Sequence, residues 1–158
     1  MTALPIDPAL DLVLDRVIAA PRHRIWEAWT NSSLLSQWWT PAPTVTRVDH
    51  LEVRPGGAFV TEMSDDGTTF VTHTDAVFLV VEPDTRLVFT NTLDSGWRPA
   101  SPQPVAMSAE ITLTDHPRGT AYRAVVRHGD PTTRDRHASL GFAEGWGSVT
   151  AALARLVE

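Results

Sequence analysis

Near its end the chain changes period, and that change restricts what it can fold into. From Asp130, an N-cap residue placed before Pro131, helical spacing runs to Val157. Phe142, Trp146, Val149, Leu153 and Leu156 step by four, three, four and three, which lays them along one apolar stripe. About 26 residues at 1.5 Å each predict a helix of roughly 39 Å, long enough to cross a sheet. Everything before it reads otherwise. Leu10 to Ala19 alternates, with Leu10, Leu12, Leu14 and Ile18 on one side and Asp11 and Asp15 on the other, the period of a half-buried strand. Pro21 opens a short helix through Thr30, and Asn31 caps a second that carries Leu34, Leu35, Trp38 and Trp39 until Pro41 and Pro43.

Between these lie strand-like segments cut by turn residues. Thr44–Val53 ends at Pro55-Gly56-Gly57, Ala58–Ser64 at Asp65-Asp66-Gly67, and Thr68–Glu82 at Pro83-Asp84. Arg86–Leu93, a Pro-rich loop from Asp94 to Pro104, Val105–Thr114, a turn at His116–Gly119 and Thr120–His128 complete the series. Strands joined by short turns make an antiparallel meander. The expected fold is therefore α+β: one strand, two short helices, about six further antiparallel strands, and a closing helix whose stripe a strongly curved sheet would bury. Residues 1–9 read as an N-terminal tail and 10–158 as a single domain.

Charge and composition exclude several functions. With 13 Arg, no Lys and 19 acidic residues the formal charge is −6, so nucleic acid is not an expected partner. Without Lys there is no Schiff-base or Walker-type lysine, and without Cys no disulfide or thiolate metal site. The six His lack HxxxH or HxH spacing, and no GxSxG, P-loop or GxGxxG is present, so neither metal nor cofactor is expected. No apolar run approaches the ~20 residues of a membrane span. The first residues carry neither a basic nor an apolar export segment, which predicts a cytoplasmic protein.

Candidate site residues follow from face and parity. Gly141, Gly145 and Gly147 each cost the closing helix about 1 kcal/mol against Ala, which close packing, a bend or a void beside the sheet would explain. Facing Tyr122, Ala124 and Val126 inward brings His128 to the same side and turns Arg123 and Arg127 out. His137, Gly141, Glu144 and Ser148 form a second helix stripe, so His128 and Glu144 can share an interior as base and orienter, or be simple structural hydrogen bonders. Glu62 and His73 have the same status. Trp38, Trp39, Trp97 and Trp146, with Met107, Tyr122 and Phe142, supply ring and thioether area for a ligand or for the core. An exposed, Trp-rich helix pair would also allow a homodimer.

Several stretches then match a known family: Trp26-Glu27-Ala28-Trp29-Thr30, Leu34-Leu35-Ser36-Gln37-Trp38-Trp39, and Leu51-Glu52-Val53-Arg54-Pro55-Gly56-Gly57. Val77–Pro83, Arg86–Thr90, Gly119-Thr120, Val125–His128 and Gly141–Gly147 continue the match. From about Leu10 to Val157 the chain resembles the START-like (SRPBCC) superfamily, and within it the bacterial homologues of the activator of the heat-shock 90 ATPase, grouped with polyketide cyclases. The resemblance implies a helix-grip fold, seven antiparallel strands around a long C-terminal helix, with two small helices at the mouth of an apolar cavity. It implies a binder of small hydrophobic or aromatic ligands. The alternatives it carries are a metal-independent cyclase or hydrolase, with His128, Glu144 or Glu62 as acid and base, and a chaperone-associated regulator. The family pattern has His between Phe142 and Glu144; this chain has Ala143.

Overall fold

A computed structural model describes residues 4–158, so positions 1–3 of the expected tail lie outside the described residues. The elements are β1 (Asp11–Ile18), α1 (Arg22–Thr30), α2 (Ser32–Leu35), β2 (Val45–Leu51), β3 (Ala58–Ser64), β4 (Val71–Glu82), β5 (Arg86–Thr90), β6 (Ser108–His116), β7 (Gly119–Arg127), α3 (Pro131–Ser139) and α4 (Phe142–Val157). The seven strands form one antiparallel sheet in the order β1-β7-β6-β5-β4-β3-β2. Five neighbours are hairpin partners, and β1 reaches the far edge beside β7 because α1 and α2 carry the chain across. Register shifts at Val48/His50, Thr61/Glu62 and Phe78/Val80 each place an extra residue in one strand, which bends the sheet. This is the α+β helix-grip architecture.

The caps act as their residue types dictate. Asn31 accepts from the Ser33 and Leu34 amides, and Asp130 accepts from the Thr133 amide with Pro131 in the first turn of α3. Along β7 the alternation holds: Tyr122, Ala124, Val126 and His128 are buried, while Arg123 turns out to grip Asp15 with both arms at 2.7 and 3.1 Å. Arg127 and Arg86 meet Glu110 on the same outer face, at 2.9 and 2.6 Å.

Two expectations need correction. The single closing helix is two helices. Gly141, at φ +92°, ends α3 in the left-handed conformation that a glycine adopts without strain, and α4 starts one residue later. The physical reason is burial: α3 has no buried residue to hold it in line, whereas α4 buries Phe142, Val149, Thr150, Leu153, Ala154 and Val157. The apolar stripe therefore belongs to a helix of 16 residues, about 24 Å.

The helix pair, likewise, does not expose its tryptophans. Trp29 and Trp38 are fully buried and Trp39 nearly so, and their rings meet one another edge-on at 4.9–5.4 Å. The Trp38 indole N–H donates to the Ala28 carbonyl at 3.0 Å. These three rings fill the protein's own core, and Trp26, the remaining ring of the pair, is half-buried.

Candidate functional site: a ring-lined cavity at the helix break

The sheet and the broken helix diverge where the glycines fall, and a cavity of about 340 Å³, partly open to solvent, lies between them. Its sheet wall is Thr74 and Ala76 of β4 and Phe89 of β5. Its helix wall is Phe142, Gly145, Trp146 and Val149, with His137 and Leu140 from the end of α3. A Cβ built on Gly145 would meet nothing within 4 Å, so this glycine leaves space that any other side chain would take.

The third wall is the Pro-rich loop. Asn91 holds it there: its side-chain N–H donates to the Val105 carbonyl and its side-chain oxygen accepts from the Met107 amide, both at 2.9 Å. Pro104, Val105 and Met107 are thereby set against the cavity. Arg136 of α3 donates to the Pro104 carbonyl at 3.4 Å, joining loop and helix across the mouth. Trp39 forms the floor, with its indole N–H donating to Thr74 Oγ1 at 3.0 Å and its ring 6.3 Å from those of both Phe89 and Trp146. Another hollow, about 540 Å³, lies on the outer sheet face among Asp15, Arg16 and Arg123. That one is a shallow groove between exposed charges and lacks the apolar enclosure of a ligand site.

The candidate residues separate by position. Trp39, His73, Met107, Phe142 and Trp146 border the cavity. His73 stands on its rim, solvent-exposed, with Nδ1 at 3.3 Å from Thr61 Oγ1. Trp38 and Tyr122 lie in the core; burial raises the Tyr122 phenol above its usual range, against the opposing pull of Trp29 and Thr150. Trp97 is 59% exposed and covers Gly56, away from the cavity. Glu62 is paired with Arg47, whose guanidinium sits 4.2 Å over the Phe70 ring. Glu144 is exposed in the first turn of α4 and has no hydrogen-bond partner among the described residues.

His128 therefore does not pair with Glu144. It is buried at the end of β7, with Nδ1 2.7 Å from the Leu10 carbonyl and Nε2 2.8 Å from His137 Nδ1. The His137 ring in turn stands edge-on to Phe142, 5.2 Å between centroids. The sequence holds a cue to this pair: a strand ending on an inward His, a helix capped two residues later, and a second His two turns along it. Among the described residues no three His, Asp or Glu side chains converge as metal ligands, and no helix is long and apolar enough to cross a membrane.

Burial, and then the charge of His128, push His137 down from 6.5 to about 4. The unfolded chain then binds more protons than the native one between those two values, so stability is full above this window and declines as pH falls through it. For a half-buried ring, discounted for solvent, the loss is about 1–2 kcal/mol. Urea midpoints on both sides of the window should fall further in the native sequence than in His137→Phe; equal falls would contradict the assignment.

Comparison with solved structures places the fold in a group. A crystal structure of protein NE0264 from Nitrosomonas europaea is 37% identical, with a TM-score of 0.85 over 96% of both chains. Protein Ms6760 from Mycobacterium smegmatis is 22% identical over 95% of this chain and 91% of that one, with a TM-score of 0.78, a likeness of fold. The AHSA1-like protein from Aeromonas hydrophila shares the fold at 19% identity and a TM-score of 0.66, over 94% and 92% of the two chains. No curated protein matches the chain. Residues 19–158 match the family described as "Activator of Hsp90 ATPase homolog 1-like protein", and the chain belongs to that family.

Proposed function

We propose that this chain binds a small apolar or aromatic ligand in the cavity between the sheet and α4. The observation that carries the reading is a partly open space walled mainly by Trp39, Phe89, Phe142 and Trp146, with a few polar groups from β4, the Pro-rich loop and α3 among them. Size narrows the ligand. An apolar cavity of ~150 Å³ already accepts benzene, so about 340 Å³ has room for a two-ring aromatic or a compact terpenoid-sized molecule.

Acid–base catalysis is the weaker reading on the same geometry. A general base is most useful with a pKa near the operating pH, whereas His137 sits at about 4 and Glu144 and Glu62 lie away from the cavity. A neutral imidazole suits recognition better than proton abstraction. The family name points to a chaperone partner, but the geometry offers a ligand cavity as its best-formed site. A chain without cysteine needs no oxidising compartment, and we place its action in the cytoplasm.

The test uses naphthalene and the protein's own fluorescence, since Trp39 and Trp146 border the cavity. A saturable change is expected for the native chain. It should vanish in Gly145→Leu, which fills open space without disturbing a packed neighbour and should leave the melting temperature at or above its native value. A flat titration with the native chain across a series of two-ring aromatics would sink the proposal.

A further inference from the structure

We propose that His128 and His137 form a relay, anchored on the Leu10 carbonyl, that fixes His137 Nε2 as a hydrogen-bond acceptor for an O–H or N–H group on the cavity's ligand. The inference rests on the ligand-binding reading above and adds a ligand class to it: an aromatic or alicyclic body bearing one hydroxyl or amine donor, such as a phenol.

The proton positions follow from what each partner can do. A carbonyl oxygen only accepts, so at 2.7 Å from Leu10 O the His128 Nδ1 must carry its hydrogen. The neutral ring then has its lone pair at Nε2. That nitrogen lies 2.8 Å from His137 Nδ1, so while both rings are neutral His137 Nδ1 is the donor. A neutral His137 with its hydrogen on Nδ1 has its remaining lone pair on Nε2. One backbone carbonyl thus sets two tautomers in series, the way a second hydrogen bond sets the free nitrogen of any paired histidine.

Position then gives that lone pair a task. His137 borders the cavity, and among the described residues no group donates to its Nε2. Among the other polar lining residues, Asn91 holds the loop through both ends of its amide and Thr74 Oγ1 takes the Trp39 indole N–H, while Asp75 and Gln103 make no side-chain hydrogen bond among the described residues and are not set by a relay. The T-shaped contact with Phe142 fixes the plane of the His137 ring. His128 is a positioning residue here, since it acts through His137.

The experiment compares 2-naphthol with 2-methoxynaphthalene, which has the same body and no donor, by fluorescence titration at neutral pH. In the native chain the affinity ratio should favour 2-naphthol by about three- to tenfold more than in His137→Phe, the worth of one hydrogen bond. Methoxynaphthalene affinity should be the same in both. His128→Leu should lose the preference, and His128→Gln, whose amide oxygen can still accept from His137 Nδ1, should restore part of it. Nitrogen NMR of the ligand-free native protein supplies a readout independent of any variant, with both histidines expected as the Nδ1–H tautomer. Equal ratios in native chain and His137→Phe, with both probes bound, would overturn the relay and leave the cavity reading standing. Protonated Nε2 on His137 in the neutral protein overturns it too. If neither probe binds, the cavity reading fails first and the relay's ligand with it.

Discussion

Phe89→Ala should lower the unfolding free energy by about 3–5 kcal/mol, seen as a shift of the urea midpoint with the slope unchanged. Phe89 is fully buried, and its ring stands 5.1 Å from Phe59, 6.0 Å from Trp29, 6.3 Å from Trp39 and 6.5 Å from Phe78. Those four rings come from β3, β4, α1 and the turn after α2. Truncating the residue they share leaves a void that none of them can fill, because each is held by others: Phe59 stacks on Phe78, and Trp39 is tied to Thr74. Phe89 also forms part of the cavity wall, so the same change should widen the cavity and favour bulkier probes. Trp97→Ala is the control. It removes a larger ring, but one that is 59% exposed, and should cost well under half as much. Comparable losses would mean that ring size, rather than the shared position, governs stability here.

What the sequence made legible was set by local chemistry. Ala58–Ser64 reads as a strand with its observed ends because turn residues close it on both sides. Pro21, Asn31 and Asp130 mark helix starts because each acts on its own backbone within three residues. The unbroken helix and the His128–Glu144 pairing failed from one cause. A glycine inside a helical pattern reads the same whether it continues the helix or ends it, and Gly141 ends it. The phase of a helix is lost at such a break, so the stripe drawn through His137 and Glu144 joined two helices that do not share a face, and His128 was assigned the wrong partner. Spacing puts His128 and His137 near one turn, but whether their rings meet depends on the angle between β7 and α3, which spacing alone does not encode. Trp38 and Trp97 failed for a different reason. A ring's periodicity says that it has a face, not which element will cover it, and Trp97 found Gly56 while Trp38 found the Ala28 carbonyl.

Gly57→Ala should cost about 3 kcal/mol or more, because nothing around it can give way. A Cβ at this position would lie 1.9 Å from the Glu52 carbonyl oxygen and 2.9 Å from both the Glu52 carbonyl carbon and the Arg54 oxygen. All three are backbone atoms, so no rotamer change relieves the collision. The turn is also pinned from the other side: Gly56 N–H donates to the Phe78 carbonyl at 2.7 Å and the Phe78 N–H donates to the Gly57 carbonyl at 3.0 Å. Opening it would pull on Phe78, whose ring stacks on Phe59 in the core. Phe59 in turn lies 5.4 Å from the Trp39 ring that floors the cavity, so naphthalene binding should weaken along with stability. Gly67→Ala separates shape from strain. Gly67 has φ +79° but open space around it, so alanine there suffers only the left-handed backbone cost of about 1 kcal/mol. Melting temperatures of the two variants side by side decide the matter: if Gly57→Ala proves no worse than Gly67→Ala, the Pro55-Gly56-Gly57 turn is not clamped between Glu52 and Phe78.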